Sequence, residues 1–367
     1  MIIKSLNALG LYGNASLNSV DLALIATDGL DVQNFIKAQT IHYPEELCLD
    51  IRSLLARRSW NYDELRNNPE VQKVREKISL FYADCIKEFG ADFKIDCYGI
   101  DGLTVFNNPA EKCSYQLEDG RIIAQALKQN IVTHFHLADL LSGGQASPLS
   151  PAFINYLGQS LEKPALFIIV DAVSSLIYLG HSGEITAFDC APGTAMIEDW
   201  TFRHAKMQTD YNGKLAITGK TDEQIISLLL KGKILKKTPP KALDVFCFAD
   251  KKEHFEGLSL EDGTATATAF IADAIYQAAL DFLPKIPANL YIGGEGQKNP
   301  TLVRLIKQNF APRDVMSLQS LEPRLIAIGA QSTAFNTVRR IYGMPLTYPT
   351  TTGAYEPLSG GEIYEKI

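Results

Sequence analysis

Several familiar signals are missing from this sequence of 367 residues. No uninterrupted apolar run approaches the length of a membrane span, and the N-terminus shows no charged-then-apolar leader ending in small residues. Both absences predict a cytoplasmic protein without a membrane partner. Positive charge is in deficit. Lys and Arg number 35 against 42 Asp and Glu, and a formal net charge of −7 offers no general attraction to nucleic acid or anionic lipid. Lys231, Lys233, Lys236 and Lys237 do cluster, but beside Pro239-Pro240 they read as a solvated turn. Cysteine pairing is absent too: Cys48, Cys85, Cys97, Cys113, Cys190 and Cys247 show no Cys-x-x-Cys and no His–Cys ligand spacing. That argues against structural zinc and reads as buried, reduced thiols.

What is present is a globular composition, 46% hydrophobic and 21% charged, on a chain longer than one ordinary core fills. Two lobes are expected. Residues 1–45 read as three strands, Ile2 to Leu11, Val20 to Ala26 and Val32 to His42, with small polar residues at the first turn and Asp28-Gly29 at the second. Helices are predicted at Pro44 to Arg58 and Val71 to Phe89, then strands at Ile95–Tyr98 and Ser114–Leu117, and a helix from Gly120 to Gln129. A second three-strand unit follows: Ala165–Val170, Leu176–Leu179 and Ile185–Asp189, again with a small-residue first turn and then a helix, Thr194–His204. Two such lobes face to face would bring both small-residue turns to one cleft. The stretch 205–262 is polar and reads as a peripheral excursion around a helix at Asp222–Lys231. A helix at Thr264 to Phe282 and a strand at Leu290–Ile292 come next. That strand runs into Gly293-Gly294-Glu295-Gly296, where Asn299-Pro300 opens another helix.

Two stretches carry candidate chemistry. Between Thr133 and Phe153 a strand end leads to one carboxylate, Asp139, four residues before Gly143-Gly144. An acid between a strand end and a glycine turn suits a general base in an α/β enzyme, but spacing alone favours a residue that merely caps the turn. The Gly293 turn suits close approach of a nucleotide, or else only solves a packing problem.

Taken together these motifs resemble the anhydro-N-acetylmuramic acid kinase family, over nearly the whole chain. Asp139 through Phe153 is similar to the family's Asp-x-Ala-x-Gly-Gly-Gln-Gly-Ala-Pro-Leu-Val-Pro-Ala-Phe. Phe188 to Thr194 resembles Tyr-Asp-Thr-Gly-Pro-Gly-Asn, and Asp210 to Gly219 resembles Asp-x-Asp-Gly-x-x-Ala-x-x-Gly. The Gly293 turn with Asn299-Pro300 is similar to the adenosine-side motif with one residue inserted, and Thr352-Gly353-Ala354 with Ser359-Gly360-Gly361 to the family's tail.

The resemblance implies an α/β, two-lobed actin-like ATPase (ribonuclease H-like) fold with a central cleft. It also implies a boundary: residues 1–130 form one lobe, with a helix from about 340–367 returning to it, and 131–340 form the other, with a peripheral insertion at about 205–262. The implied reaction transfers the γ-phosphoryl of ATP to 1,6-anhydro-N-acetylmuramic acid while water opens the anhydro ring, a step of cell-wall recycling. ATP and magnesium are the implied cofactors, a small-molecule amino sugar is the partner, and a homodimer is compatible with the family. Asp139 falls on the base. Gly143, Gly144, Gln145, Thr104, His134 and His136 fall on the sugar side, and Asp189 on a metal ligand. The first phosphate loop falls on Asn14, Ala15, Ser16, Leu17, Asn18, Ser19, Val20 and Asp21, and further nucleotide positions fall on Asp171, Ala172, Gly193, Gly293, Gly294 and Asn299.

The departures point the other way. The family's Gly-Thr-Ser-x-Asp-Gly-x-Asp keeps only Ser16 and Asp21, and Asp171 brings negative charge to a glycine position of the second loop, where an inward-facing carboxylate would disfavour ATP. His-Gly-Gln-Thr becomes Asp101-Gly102-Leu103-Thr104, and Asp-Phe-Arg becomes His134-Phe135-His136. Two functions are therefore carried forward: an active sugar kinase, and a catalytically impaired, pseudokinase-like member that binds a sugar or a partner.

Overall fold

The computed structural model describes residues 3–13, 17–57, 60–245, 247–248 and 253–366. The chain forms two compact units: Met1–Tyr156 with Arg324–Ile367, and Leu157–Pro323.

Unit 1 is built on the expected meander, β1 (Leu6–Gly13), β2 (Ser19–Thr27) and β3 (Val32–His42). Helices α1 (Glu45–Ala56), α2 (Tyr62–Asn67) and α3 (Pro69–Gly90) follow, then β4 (Cys97–Asp101), the hairpin β5 (Thr104–Asn108) and β6 (Cys113–Gln116), α4 (Gly120–Leu127), β7 (Ile131–Thr133), α5 (Leu137–Leu141) and α6 (Pro151–Leu157). The sheet order is β13-β7-β4-β1-β2-β3, where β13 (Glu362–Tyr364) comes from the returning segment; β1 pairs antiparallel with β2 and parallel with β4. Strand β2 is apolar on both faces because both are covered, and Val20, Leu22, Leu24 and Ile25 are wholly buried. Helix α3 starts where Asn68 accepts hydrogen bonds from Glu70 and Val71 N–H ahead of a helix-starting Pro69. Helix α13 (Ile328–Ile341) lies against β1 so closely that a Cβ on Gly10 would stand 2.1 Å from the Ala330 carbonyl oxygen. Glycine there is a packing requirement.

Unit 2 repeats the scheme. β8 (Ala165–Val170), β9 (Val173–Leu179) and β10 (Ile185–Pro192) form the meander, and β11 (Asn289–Gly293) and β12 (Val315–Ser317) add parallel strands in the order β10-β9-β8-β11-β12. Its helices are α7 (Thr194–Ala205), α8 (Lys214–Thr218), α9 (Glu223–Leu230), α10 (Lys233–Lys236), α11 (Leu260–Phe282) and α12 (Pro300–Phe310). A three-strand meander extended by parallel strands beside its first strand, found once in each unit, is the expected α/β, ribonuclease H-like architecture.

Three expectations of organisation change. The break lies after Tyr156 and the return starts at Arg324, so β7, α5 and most of α6 belong to unit 1 rather than the second lobe. The returning helix is Ile328–Ile341 and not 340–367, since Gly343, Pro345 and Pro349 prevent helix beyond it and leave only β13 as regular structure. Residues 205–262 are not merely peripheral. Ile226, Leu229, Leu235, Phe248 and Phe255 enter the core of unit 2, an apolar set hidden in a polar average.

Candidate active site

Strand β7 ends in an abrupt turn. His134 takes the left-handed conformation (φ 52), and the chain folds at once into the short α5, which carries Asp139 in its first turn. Asp139 is 1% exposed. One carboxylate oxygen accepts the Ala146 N–H at 2.8 Å, and the other accepts the Thr352 hydroxyl. The Gly144 N–H bonds the Asp139 backbone carbonyl at 2.9 Å, and the Gln145 N–H bonds the Thr352 carbonyl at 2.8 Å. A side chain on Gly144 would collide with the carboxylate, its Cβ falling 2.0 Å from Oδ1. Gly143 serves the turn by its positive φ of 85 and has open space around it. Both readings of Asp139 thus meet in one geometry: the carboxylate ties the glycine turn, and that tie holds it in place. Two of its roughly four acceptor positions are engaged, which leaves capacity for a proton.

Unit 1 also holds a buried polar network around Thr104 and His134, two of the residues expected on the sugar side. Gln116 donates to Asp101 at 2.9 Å and to Thr104 Oγ1 at 3.3 Å, and its oxygen lies 3.2 Å from His134 Nδ1. Burial raises Asp101 to about 6. It lowers His134, and it lowers His136 to about 3, with the neighbouring His134 a smaller cause. Both imidazoles are therefore neutral at pH 7, and neither supplies the fixed positive charge of the arginine in the similar motif. Glu118 is wholly buried, accepts from the Thr133 hydroxyl at 3.1 Å, and leaves its other oxygen without a partner; burial pushes it up to about 8. Thr104, His134, Gly144, Gln145 and Asp139 all lie in unit 1, whereas the expected boundary after residue 130 divides Thr104 from the other four. Thr352, bonded to Asp139, and Gln116, beside His134, are partners of candidate residues that the sequence did not single out.

The nucleotide positions divide. Asn14, Ala15 and Ser16 lie outside the described residues. Leu17 is left-handed (φ 60), and the Asn18 side chain accepts from Ser19. Ser19, Val20 and Asp21 are not loop residues at all. They open β2, with the Val20 side chain wholly buried and the Asp21 carboxylate accepting from Thr40, because the ladder to β1 and β3 begins there.

In unit 2, Asp171, Ala172, Gly193 and Gly294 converge. Gly193 N–H bonds the Ala172 carbonyl at 3.0 Å and Thr194 N–H bonds the Asp171 carbonyl at 2.8 Å. The Asp171 carboxylate accepts the Glu295 N–H at 2.9 Å, so this oxygen ties the glycine-rich turn to the β8–β9 turn. Gly293 is glycine because a Cβ would meet Leu318 at 2.2 Å, and Asn299 caps α12 through Thr301 and Leu302 N–H, both at 3.1 Å. Helix α7 begins without a side-chain cap, and the buried Thr194 hydroxyl beside it has no partner among the described residues.

A family profile described as Anhydro-N-acetylmuramic acid kinase matches residues 7–366. The chain belongs to the anhydro-N-acetylmuramic acid kinase family. A protein of that name from Paramagnetospirillum magneticum is 33% identical over 360 residues, covering 96% of this chain and 98% of its own. One from Rhodopseudomonas palustris (strain HaA2) is 33% identical over 364 residues, with 97% and 98% covered. Among solved structures, a ROK family glucokinase from Streptomyces griseus in complex with glucose and AMPPNP aligns with a TM-score of 0.39 and 10% identity, over 89% of this chain and 99% of that one.

Membership in a kinase family implies ATP and a sugar. At the start of α7 the Gly193, Thr194 and Met196 N–H groups already bond carbonyls, and the buried Thr194 hydroxyl is the donor that fits a phosphate. Magnesium fits less well. Asp189 is 2% exposed, and its carboxylate accepts from the Ser175 hydroxyl at 2.7 Å and the Leu243 N–H at 3.0 Å. Lys241, itself wholly buried and lowered to about 8 by burial, adds positive charge nearby. That is the setting of a structural acid. No group of three His, Cys, Asp or Glu side chains gathers as a metal site among the described residues.

Proposed function

We propose that this family member phosphorylates 1,6-anhydro-N-acetylmuramic acid at the expense of ATP, with hydrolytic opening of the anhydro ring, in the cytoplasmic recycling of cell-wall sugars. The observation that carries the reading is the setting of Asp139, a buried carboxylate fixed by Ala146 N–H and the Thr352 hydroxyl beside Gly144. A fixed carboxylate can take the proton of a water molecule as that water attacks the anomeric carbon. The C1–O6 bond breaks, O6 attacks the γ-phosphorus, and ADP leaves. The products are N-acetylmuramic acid 6-phosphate and ADP, with one water consumed. Thr352 and the Gly143-Gly144 turn hold the base, and Thr104 and His134 offer polar groups to the sugar. The Thr194 hydroxyl at the start of α7 donates to phosphate, and magnesium enters with the nucleotide rather than on a preformed protein cage. The relatives named above are kinases by name, and the non-catalytic alternative gains no observation of its own.

Phosphoryl transfer to the anhydro sugar, followed by coupled ADP release, tests the reading. The Asp139→Asn variant should lose about 10²–10⁴-fold in kcat while binding ATP normally in a calorimeter. An unchanged rate would remove Asp139 as the base, and no ATP binding at millimolar concentration by the wild type would remove the kinase.

A further inference from the structure

Gln116 closes β6, is 3% exposed, and has both ends of its amide engaged. The two ends of an amide are alike in shape, so chemistry must decide which faces which partner. Here one end meets the Asp101 carboxylate at 2.9 Å and the Gly102 carbonyl at 3.3 Å. Carboxylates and carbonyls only accept, so that end is the NH₂. The oxygen is then left for His134 Nδ1 at 3.2 Å. An amide oxygen has no proton to give, so Nδ1 carries the hydrogen. A neutral imidazole holds one N–H, and Nε2 is left as an acceptor. Neutrality itself is favoured by burial, which outweighs the opposing carboxylates of Glu362 and Asp119; Arg75 lowers the value further, and the His136 and Tyr364 rings lie alongside.

We propose that Asp101 and Gln116 are positioning residues that lock His134 as its Nδ1–H tautomer, so that Nε2 presents a lone pair to a hydroxyl or amide N–H of the sugar. The neutral ring in water favours the opposite tautomer, with hydrogen on Nε2, so the relay reverses the default. Among the described residues Gln116 is the ring's hydrogen-bond partner. His134 is also held in the left-handed region (φ 52), a conformation that disfavours most side chains and that surrounding structure must enforce. The same two positions are those where the chain departs from the motifs it resembles. An imidazole and a carboxylate have exchanged places, and the amide between them transmits orientation from acid to ring. The identity of the donor rests on the kinase reading; the tautomer does not.

Nitrogen NMR of the full chain labelled in histidine, at about pH 7.5, reads the ring directly. Protonated Nδ1 and bare Nε2 are expected for His134; hydrogen on Nε2, or an imidazolium, overturns the proposal. Asp101→Asn offers both donor and acceptor to Gln116, and Gln116→Met removes the relay, so both variants should shift His134 toward Nε2–H. An unchanged tautomer in folded variants overturns the relay, and the wild-type spectrum decides the tautomer even where a variant does not fold. Added 1,6-anhydro-N-acetylmuramic acid should move the wild-type Nε2 resonance. In the two variants KM for the sugar should rise about three- to tenfold with kcat nearly kept. An unmoved Nε2 signal in a wild-type enzyme that turns over overturns the substrate role. Lack of turnover with the expected tautomer would fault the kinase reading instead.

Discussion

Asp139 and Glu118 lie in the same unit, at 1% and 0% exposure, and the surrounding chain treats them in opposite ways. Around Asp139 the glycine turn and a threonine from the returning segment supply a donor to each oxygen. Around Glu118 one hydroxyl reaches one oxygen, the other has nothing, and the carboxyl keeps its proton up to about 8. Burial alone therefore does not make a base. A buried acid to which the fold brings too few donors is a neutral polar group with a pH-dependent penalty.

The contrast would break most completely at Asp139 itself, through the loss of turnover expected of Asp139→Asn. The next largest effect belongs to Glu118. Its folded-state value of about 8 lies above the ordinary 4.5, so its contribution to stability is fully present below 4.5 and is lost as pH rises through 8. Glu118→Gln should match the wild type in urea titrations near pH 4 and exceed it by a few kcal/mol near pH 9. Equal stability at both pH values would mean that the carboxyl finds solvent or a donor when charged. Thr352→Val leaves one Asp139 oxygen without its donor. A loss of about 1–3 kcal/mol in stability and about tenfold in kcat, with KM little changed, is expected from chemical denaturation and steady-state rates. A silent Thr352→Val would show that the Ala146 N–H alone holds the base. The smallest effect is at Asp171. Because one of its oxygens holds the Glu295 N–H, Asp171→Asn should change the ATP dissociation constant less than about threefold. Tenfold tightening would show that the charge faces the nucleotide after all.

These residues also mark how far the sequence reads. The two meanders were legible because apolar runs separated by small-residue turns leave few alternatives, and Asp139 with its glycine pair was legible because the elements lie within a few residues of one another. Thr352 lies 213 residues from Asp139, and Gln116 meets His134 across 18. Such partnerships are set by packing and leave no periodic trace. Val20 carries two expectations, a strand start by its apolar pattern and a phosphate-loop residue by motif correspondence, and the structure has it in β2, which starts at Ser19. The direction of the Asp171 carboxylate, which decides whether it opposes a phosphate or caps a turn, is a rotamer and is not written in the residue order.

Thr352 carries one more consequence. Unit 2 is a single uninterrupted stretch, Leu157–Pro323, whereas unit 1 is completed only by residues that follow it. As the chain emerges in order from a ribosome, unit 2 can fold whole while the earlier β1 still lacks α13, and Asp139 still lacks the hydroxyl that steadies it. Asp139 is thus synthesised before unit 2 and finished after it. Translation that halts after Pro323 leaves a chain with unit 2 able to form and unit 1 unfinished, open along the face of β1 that the late helix covers.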